Sequence, residues 1–308
     1  MHLIDARADV AFNRISFSAD AAISANPDSF EETYFHTVDS LGVDYQASPF
    51  TPDYSRAGPD IHDNVLVNNT TNGLFVRIDT IASQRLERMT VTGRWDDLDV
   101  VHVLPENLII EGEVGPALLN DDGSLTPRVG AGLKIDPGAI VKLDGSRIEG
   151  TLGSTILAEG LEGKPIVFTS LLDDRFGAGG TFDTSSNEEG SPQAGDWAGV
   201  FIAPTGNLSI DNAVIAYGGG LSRVEGSFAA FNPIEVHQAN ARIANSVIEF
   251  SASGRGGQAD LDRPGRPDNA KGAIFLRGSS AVIVNNIIRD TQGTVSYTHL
   301  TLPTTPYV

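Results

Sequence analysis

The sequence predicts an all-β fold, a parallel β-helix solenoid with long loops, and three observations carry that expectation. The first is a six-residue pattern that occurs four times: Ile61-His62-Asp63-Asn64-Val65-Leu66, Ile210-Asp211-Asn212-Ala213-Val214-Ile215, Ile243-Ala244-Asn245-Ser246-Val247-Ile248 and Ile283-Val284-Asn285-Asn286-Ile287-Ile288. Its last three copies start 33 and 40 residues apart, a spacing typical of stacked repeats. A unit this short cannot bury its own apolar face, so copies must stack and share one core. The second is a β-rich run ahead of each of those three copies: Gly199-Val200-Phe201-Ile202, Ile234-Glu235-Val236 and Ile274-Phe275-Leu276-Arg277. The third is composition. In 308 residues, 33 glycines and 16 prolines against 2 methionines favour tight turns between short strands.

In chain order, Asp20–Ala25 reads as a strand with no strand before it, so the chain is expected to begin inside a longer stack. Met1–Asp5 has neither a basic nor an apolar leader character, and no apolar run is long enough to span a membrane. Leu74-Phe75-Val76-Arg77 matches Ile274-Phe275-Leu276-Arg277 and is read as the same kind of strand. Ile81–Met89 is the one segment compatible with a helix. Leu133–Leu143 gives two alternating runs joined by the Pro137-Gly138 turn, and runs at Arg147–Glu149, Thr155–Ala158 and Ile166–Thr169 follow. Leu172–Trp197 reads as one long loop. The excursions Gly218–Asn232 and Ser251–Lys271 leave the stack from equivalent corners, and loops so long usually carry function or lack order.

Residues 294–308 break every earlier pattern. Thr294–Thr304 resembles the translation of a sequencing-library transposon adapter, so residues 1–293 are taken as the native stack and 294–308 as a foreign tail. Within the stack, Ile210, Ile243 and Ile283 are expected to form an inward column, with Val214, Val247 and Ile287 beside it. Asp63, Asn212, Asn245 and Asn285 are expected to form a structural column at a repeated bend. Asn and Asp tolerate the left-handed conformation there, and stacked amides bond one coil to the next. A β-sandwich gives no reason for Asn to recur at one offset.

Three motifs carry a family resemblance: Leu133-Lys134-Ile135-Asp136-Pro137-Gly138 with Val141-Lys142-Leu143, then Lys164-Pro165-Ile166-Val167-Phe168-Thr169-Ser170 with Asp173-Asp174, then Gly195-Asp196-Trp197-Ala198-Gly199-Val200. In that order they resemble the right-handed parallel β-helix proteins of the pectate-lyase-like superfamily, and more narrowly β-helix segments of very large secreted bacterial surface proteins. The resemblance spans roughly residues 15–293. It implies a right-handed coil, flanking domains, and an extracellular or cell-envelope address, without implying an activity.

Charge and composition bound the function. A net charge of −19 repels nucleic-acid phosphates, and the absence of cysteine removes disulfides and thiolate metal sites. Calcium is the cofactor the acids suggest, with Asp121 and Asp122 beside Gly123 in one loop and Asp173 and Asp174 in another. Asp183, Asp211, Arg77 and Arg277 are further candidates for a polysaccharide-cleaving groove. No compact carboxylate set on neighbouring coils stands out, so no catalytic residue is assigned. His36, His62, His102 and His237 are scattered without an i, i+4 pair, which argues against zinc. Trp197 either stacks on a sugar or packs at a coil edge. The expected role is non-catalytic display of loops for adhesion, with a polysaccharide or a surface protein as ligand. The alternative is a polysaccharide lyase or glycoside hydrolase.

Overall fold

A computed structural model describes residues 1–6, 8–31, 58–78, 86–126, 128, 130–185, 190–224, 227–252, 254, 270–292 and 296–299. The molecule is all-β, and its long sheets are parallel throughout. One sheet has nine strands, two have six, and four have two. From Gly132 onward the chain visits the three large sheets in fixed rotation. Gly132–Ile135 lies in one six-stranded sheet, Ile140–Leu143 in the nine-stranded sheet and Arg147–Gly150 in the other six-stranded sheet. Thr155–Glu159 then returns to the first, and the cycle repeats. This order is consistent with a parallel β-helix. The 3-10 turn Pro27–Phe30 is the one helical element among the described residues, with Pro at its start where a missing N–H costs nothing.

Registry stacks like on like. In the first six-stranded sheet Trp95, Ile135, Ala158, Ile210, Ile243 and Ile283 form one inward column. In the nine-stranded sheet the column is Leu74, His102, Val141, Phe168, Ile215, Ile248 and Ile288. In the other six-stranded sheet Leu108, Ile148, Val200, Ile234 and Ile274 align. Most of these side chains are fully buried and join one continuous core. Ile283 is 38% exposed, because its strand Val282–Val284 lies at the edge of its sheet.

Asn212, Asn245 and Asn285 have φ of 44°, 49° and 56°. Each sits between a strand of the first six-stranded sheet and one of the nine-stranded sheet. Asn285 Nδ2 donates to Asn245 Oδ1 at 3.3 Å, and Asn245 Nδ2 donates to Asp211 Oδ1 at 2.8 Å. The bend resets the in–out alternation, which corrects one expectation. Val214 and Val247 are half-buried and Ile287 is exposed, while Ile215 and Ile248 are the inward residues. Asp63 has the same left-handed backbone, φ 53°, but stands elsewhere. Its flanking strands Asp60–His62 and Val65–Val67 pair with Asp9–Ala11 and Arg14–Ser16 in two separate small sheets, so its stacking neighbour is Phe12, not an Asn.

Other expectations differ from the structure. Three short strands, His2–Leu3, Asp9–Ala11 and Arg14–Ser16, precede Ala21–Ala25. Thr71–Val76, which contains Leu74 to Val76, joins the nine-stranded sheet, whereas Ile274–Arg277 joins a six-stranded one. Both still carry an arginine over the phenylalanine two positions earlier. Of Ile81–Met89, residues 81–85 lie outside the described set. Leu86–Arg88 is irregular, and Met89 bridges in parallel to Ile110. The excursion Gly218–Asn232 holds an antiparallel hairpin, Leu221–Val224 with Ser227–Ala230. Most of Ser251–Lys271 lies outside the described residues. Ser296–His299, within the segment read as a foreign tail, pairs in parallel with Ile274–Arg277. Main-chain bonding at a sheet edge is indifferent to side chains, so an edge strand accepts whatever extended segment reaches it.

Candidate functional site

The richest concentration of acid, base and aromatic groups lies on the outward face of the sheet that contains Arg147–Gly150, Gly199–Ile202, Ile234–His237 and Ile274–Arg277. Registry puts Glu149, Phe201, Glu235 and Phe275 in one outward column, alternating carboxylate and ring. Strand alternation adds Arg147 two residues before Glu149 and His237 two residues after Glu235. Glu235 Oε1 accepts from the Asn232 backbone N at 2.8 Å and from its Nδ2 at 3.1 Å, and Oε2 lies 3.1 Å from His237 Nε2. The His237 ring packs between Phe201 and Phe275, with centroids 4.9 and 5.5 Å away. Arg147 pairs with Glu149 and lies 5.1 Å over the Phe231 ring.

This outward face is nevertheless covered. Arg147, Glu235, His237, Phe201 and Phe275 are all buried. The hairpin Leu221–Ala230 folds over it and is locked polar group by polar group. Arg147 Nη1 donates to Ser222 Oγ and the Arg223 carbonyl, and Asn107 Nδ2 donates to the same carbonyl. Beneath the hairpin, Val224, Ala229 and Phe231 pack with Ala198 and Phe201 in a small second core. A Glu–His pair at 3.1 Å is able to relay a proton. Here it is buried, with Asn232 bonded to the carboxylate and the Phe201 and Phe275 rings against the imidazole.

A second charged cluster runs along the nine-stranded sheet. Arg175 binds Asp173 with two parallel bonds of 2.9 Å, and its Nη1 reaches Glu249 Oε1 at 3.0 Å. Glu249 Oε2 accepts from Arg289. The Arg175 guanidinium also lies over the rings of Phe176, Tyr217 and Phe250. Burial alone would raise the Asp173 carboxyl, but hydrogen bonds from Arg175 and Thr169 hold it below the usual carboxylate range. Nearby, the fully buried Lys142 donates to the Phe182 carbonyl at 2.7 Å with Asp174 at 3.8 Å. Burial lowers its pKa, opposed by Asp174, Asp173 and Asp183.

The residues singled out in the sequence fall as follows. Asp121 and Asp122 sit at the tip of a small hairpin, Leu118–Leu119 with Leu125–Thr126. Asp122 Oδ1 accepts from the Ser124 N–H and hydroxyl, which lower its pKa, and Gly123 takes φ 81°. That is turn chemistry. Asp173 and Asp174 face different cations, Arg175 and Lys142. Asp211 pairs with Arg242 and accepts from Asn245, Arg77 pairs with Asp20, and Arg277 lies over Phe275. Trp197 is fully buried and donates to the Ala216 carbonyl at 2.8 Å, so it is a core residue. His36 lies outside the described residues and His102 is in the core. The structure brings together Glu235 with His237 and Arg147 with Glu149, which the sequence had not marked as a site. Their i, i+2 spacing on strands of matching type was the available signal.

Searches of protein-family models, curated proteins and solved structures found no match to this chain.

Proposed function

We propose that this chain is a segment of a large exported bacterial surface protein, a right-handed parallel β-helix of pectate-lyase-like type that acts as a rigid, non-catalytic support. In this reading its excursions are displayed to an extracellular polysaccharide or surface-protein ligand, with further domains of the parent protein on either side. The observation that carries the reading is the covered acid–base face. Arg147 and Glu235 are bonded into the stack and the Leu221–Ala230 hairpin closes over the face they occupy, while that hairpin turns Leu221 and Phe228 outward at more than half exposure. Apolar side chains held out on a braced hairpin suit contact with a partner better than they suit solvent.

One observation favours the second reading, a polysaccharide lyase or glycoside hydrolase: the Glu235–His237 pair beside Arg147 and Glu149. A single experiment separates the two. The purified chain is offered a panel of acidic and neutral polysaccharides and surface-protein extracts, with binding and chain cleavage both read. Display predicts binding without new reducing ends or unsaturated products, and loss of binding in the Leu221→Ser/Phe228→Ser variant with an unchanged melting curve. Cleavage that disappears in Glu235→Gln would establish the enzyme instead.

A further inference from the structure

We propose that Asp9, Asp60 and His62 form a binding site for one divalent transition-metal cation of the zinc class. The site lies on the outward side of the small sheet made by Asp9–Ala11 and Asp60–His62. Registry pairs Asp9 with Asp60 and Ala11 with His62. Ile61 points inward at 1% exposure, so Asp60 and His62 share the outward side and Asp9 lies beside Asp60. One donor atom from each of the three falls within 4.8 Å of the others.

The distances are those of a gap, not of hydrogen bonds. His62 Nε2 stands 3.8 Å from Asp9 Oδ1 and 3.9 Å from Asp60 Oδ1. Both exceed hydrogen-bond reach. Ligand bonds of about 2.0–2.2 Å put tetrahedral donors about 3.3–3.6 Å apart, so each pair would close by a few tenths of an ångström around a cation. The imidazole is also oriented for the task. Its Nδ1 lies 2.9 Å from Asp63 Oδ2, and with Nδ1 donating there, Nε2 turns its lone pair toward the two carboxylates.

The backbone beneath these donors is bonded on both strands. Asp63 adopts its left-handed bend while its N–H donates to Asp99 Oδ2 at 2.6 Å, which fixes the backbone from which its carboxylate reaches the ring. Phe12 packs edge-on against the imidazole at 5.5 Å. The Asp60 N–H donates to the Ala8 carbonyl at 2.8 Å and sets the strand spacing. Donors on paired strands are held more firmly than donors on loops. One imidazole and two carboxylates suit zinc, whereas calcium takes oxygen ligands. Such a cation would tie together strands 51 residues apart in the chain. Histidine spacing alone had argued against zinc, because the third ligand comes from a register partner rather than from an i, i+4 neighbour.

The test is calorimetric titration of the chelator-treated chain with Zn²⁺, with Ca²⁺ as control, alongside melting temperatures with and without metal. The expected result is one Zn²⁺ per chain, a raised melting temperature, and no competition from Ca²⁺. Asp9→Asn and His62→Gln should lose that binding while melting like the parent chain in chelator. Asp63→Asn should weaken it about ten- to a hundredfold. Absence of binding, binding that Asp9→Asn and His62→Gln both retain, or a His62 Nε2 that stays protonated by NMR in excess Zn²⁺ would each overturn the proposal.

Discussion

His102 is the residue least at home in its surroundings. It occupies the aliphatic column between Leu74 and Val141, is fully buried, and stacks on Trp95 at 4.8 Å. Among the described residues neither of its ring nitrogens has a hydrogen-bond partner. Burial pushes its pKa down from 6.5 to about 3, so the folded protein holds it neutral. The unfolded chain therefore takes up a proton first as pH falls below 6.5, and stability declines from there toward pH 3. By pH 5 the loss from this residue is about 2 kcal/mol. His102→Leu should be at least as stable as the parent at pH 7, because removing an unpartnered buried polar group is neutral or favourable. It should also lose less stability between pH 7 and pH 5. Urea unfolding at the two values checks this, and equal losses in both proteins would refute it. Little of this was legible in advance, since a histidine between valines shows its inward direction only once its strand pairs place it between Leu74 and Val141. Asn212, Asn245 and Asn285 were easier to read, because a residue that bends the backbone recurs at a fixed offset.

Elements are joined here as much by side chains bridging successive strands as by the ladders themselves. Arg175 is the clearest case, engaging Asp173 after Ile166–Ser170, Glu249 of Val247–Glu249, and the rings of Tyr217 and Phe250. Removing it leaves the buried Asp173 without its cation and Glu249 with Arg289 alone. Arg175→Gln should cost about 2–3 kcal/mol, toward the lower end for a broken buried pair because Arg175 is partly exposed. The pH signature follows from Asp173, whose folded pKa lies below its unfolded value. Its stabilisation is present above the unfolded pKa and lost as pH falls through the folded one. In Arg175→Gln that acid-side loss should shrink, which unfolding curves between pH 5 and pH 2 would show. At this scale the strands were readable from β-rich runs. Their inward phase was not, because the left-handed bend moves the buried position from Val214 to Ile215. The hairpin within Gly218–Asn232 was hidden too, since glycine and serine dominate its start and its cover over Phe201 depends on tertiary placement.

At the scale of the whole molecule, each strand of the long sheets pairs only with its immediate neighbours, so their cohesion is a chain of nearest-neighbour terms. Amide exchange followed by mass spectrometry should therefore be graded. Ile140–Leu143, Ile166–Ser170 and Ala213–Ala216, with neighbours on both sides, should exchange slowest. His2–Leu3 and Ile287–Arg289, at the sheet ends, should exchange fastest. Uniform protection would show instead that the stack opens as one unit. The rotation of the chain through three sheets was foreseeable from the repeats. The separate small sheets around Asp63 were not, because their partners lie at Asp9–Ala11 and Arg14–Ser16, where the sequence shows no matching motif. The circuits also differ in contour length. Gly132 pairs with Thr155, Thr155 with Asn207 and Asn207 with Asn240, so single circuits take 23, 52 and 33 residues while the register holds. All of that variation is absorbed between the strands, and doubling a loop costs only about 0.6 kcal/mol in closure entropy. The corners of this protein thus behave as graft points. Foreign segments inserted there would change what the surface offers without altering the strand register beneath it.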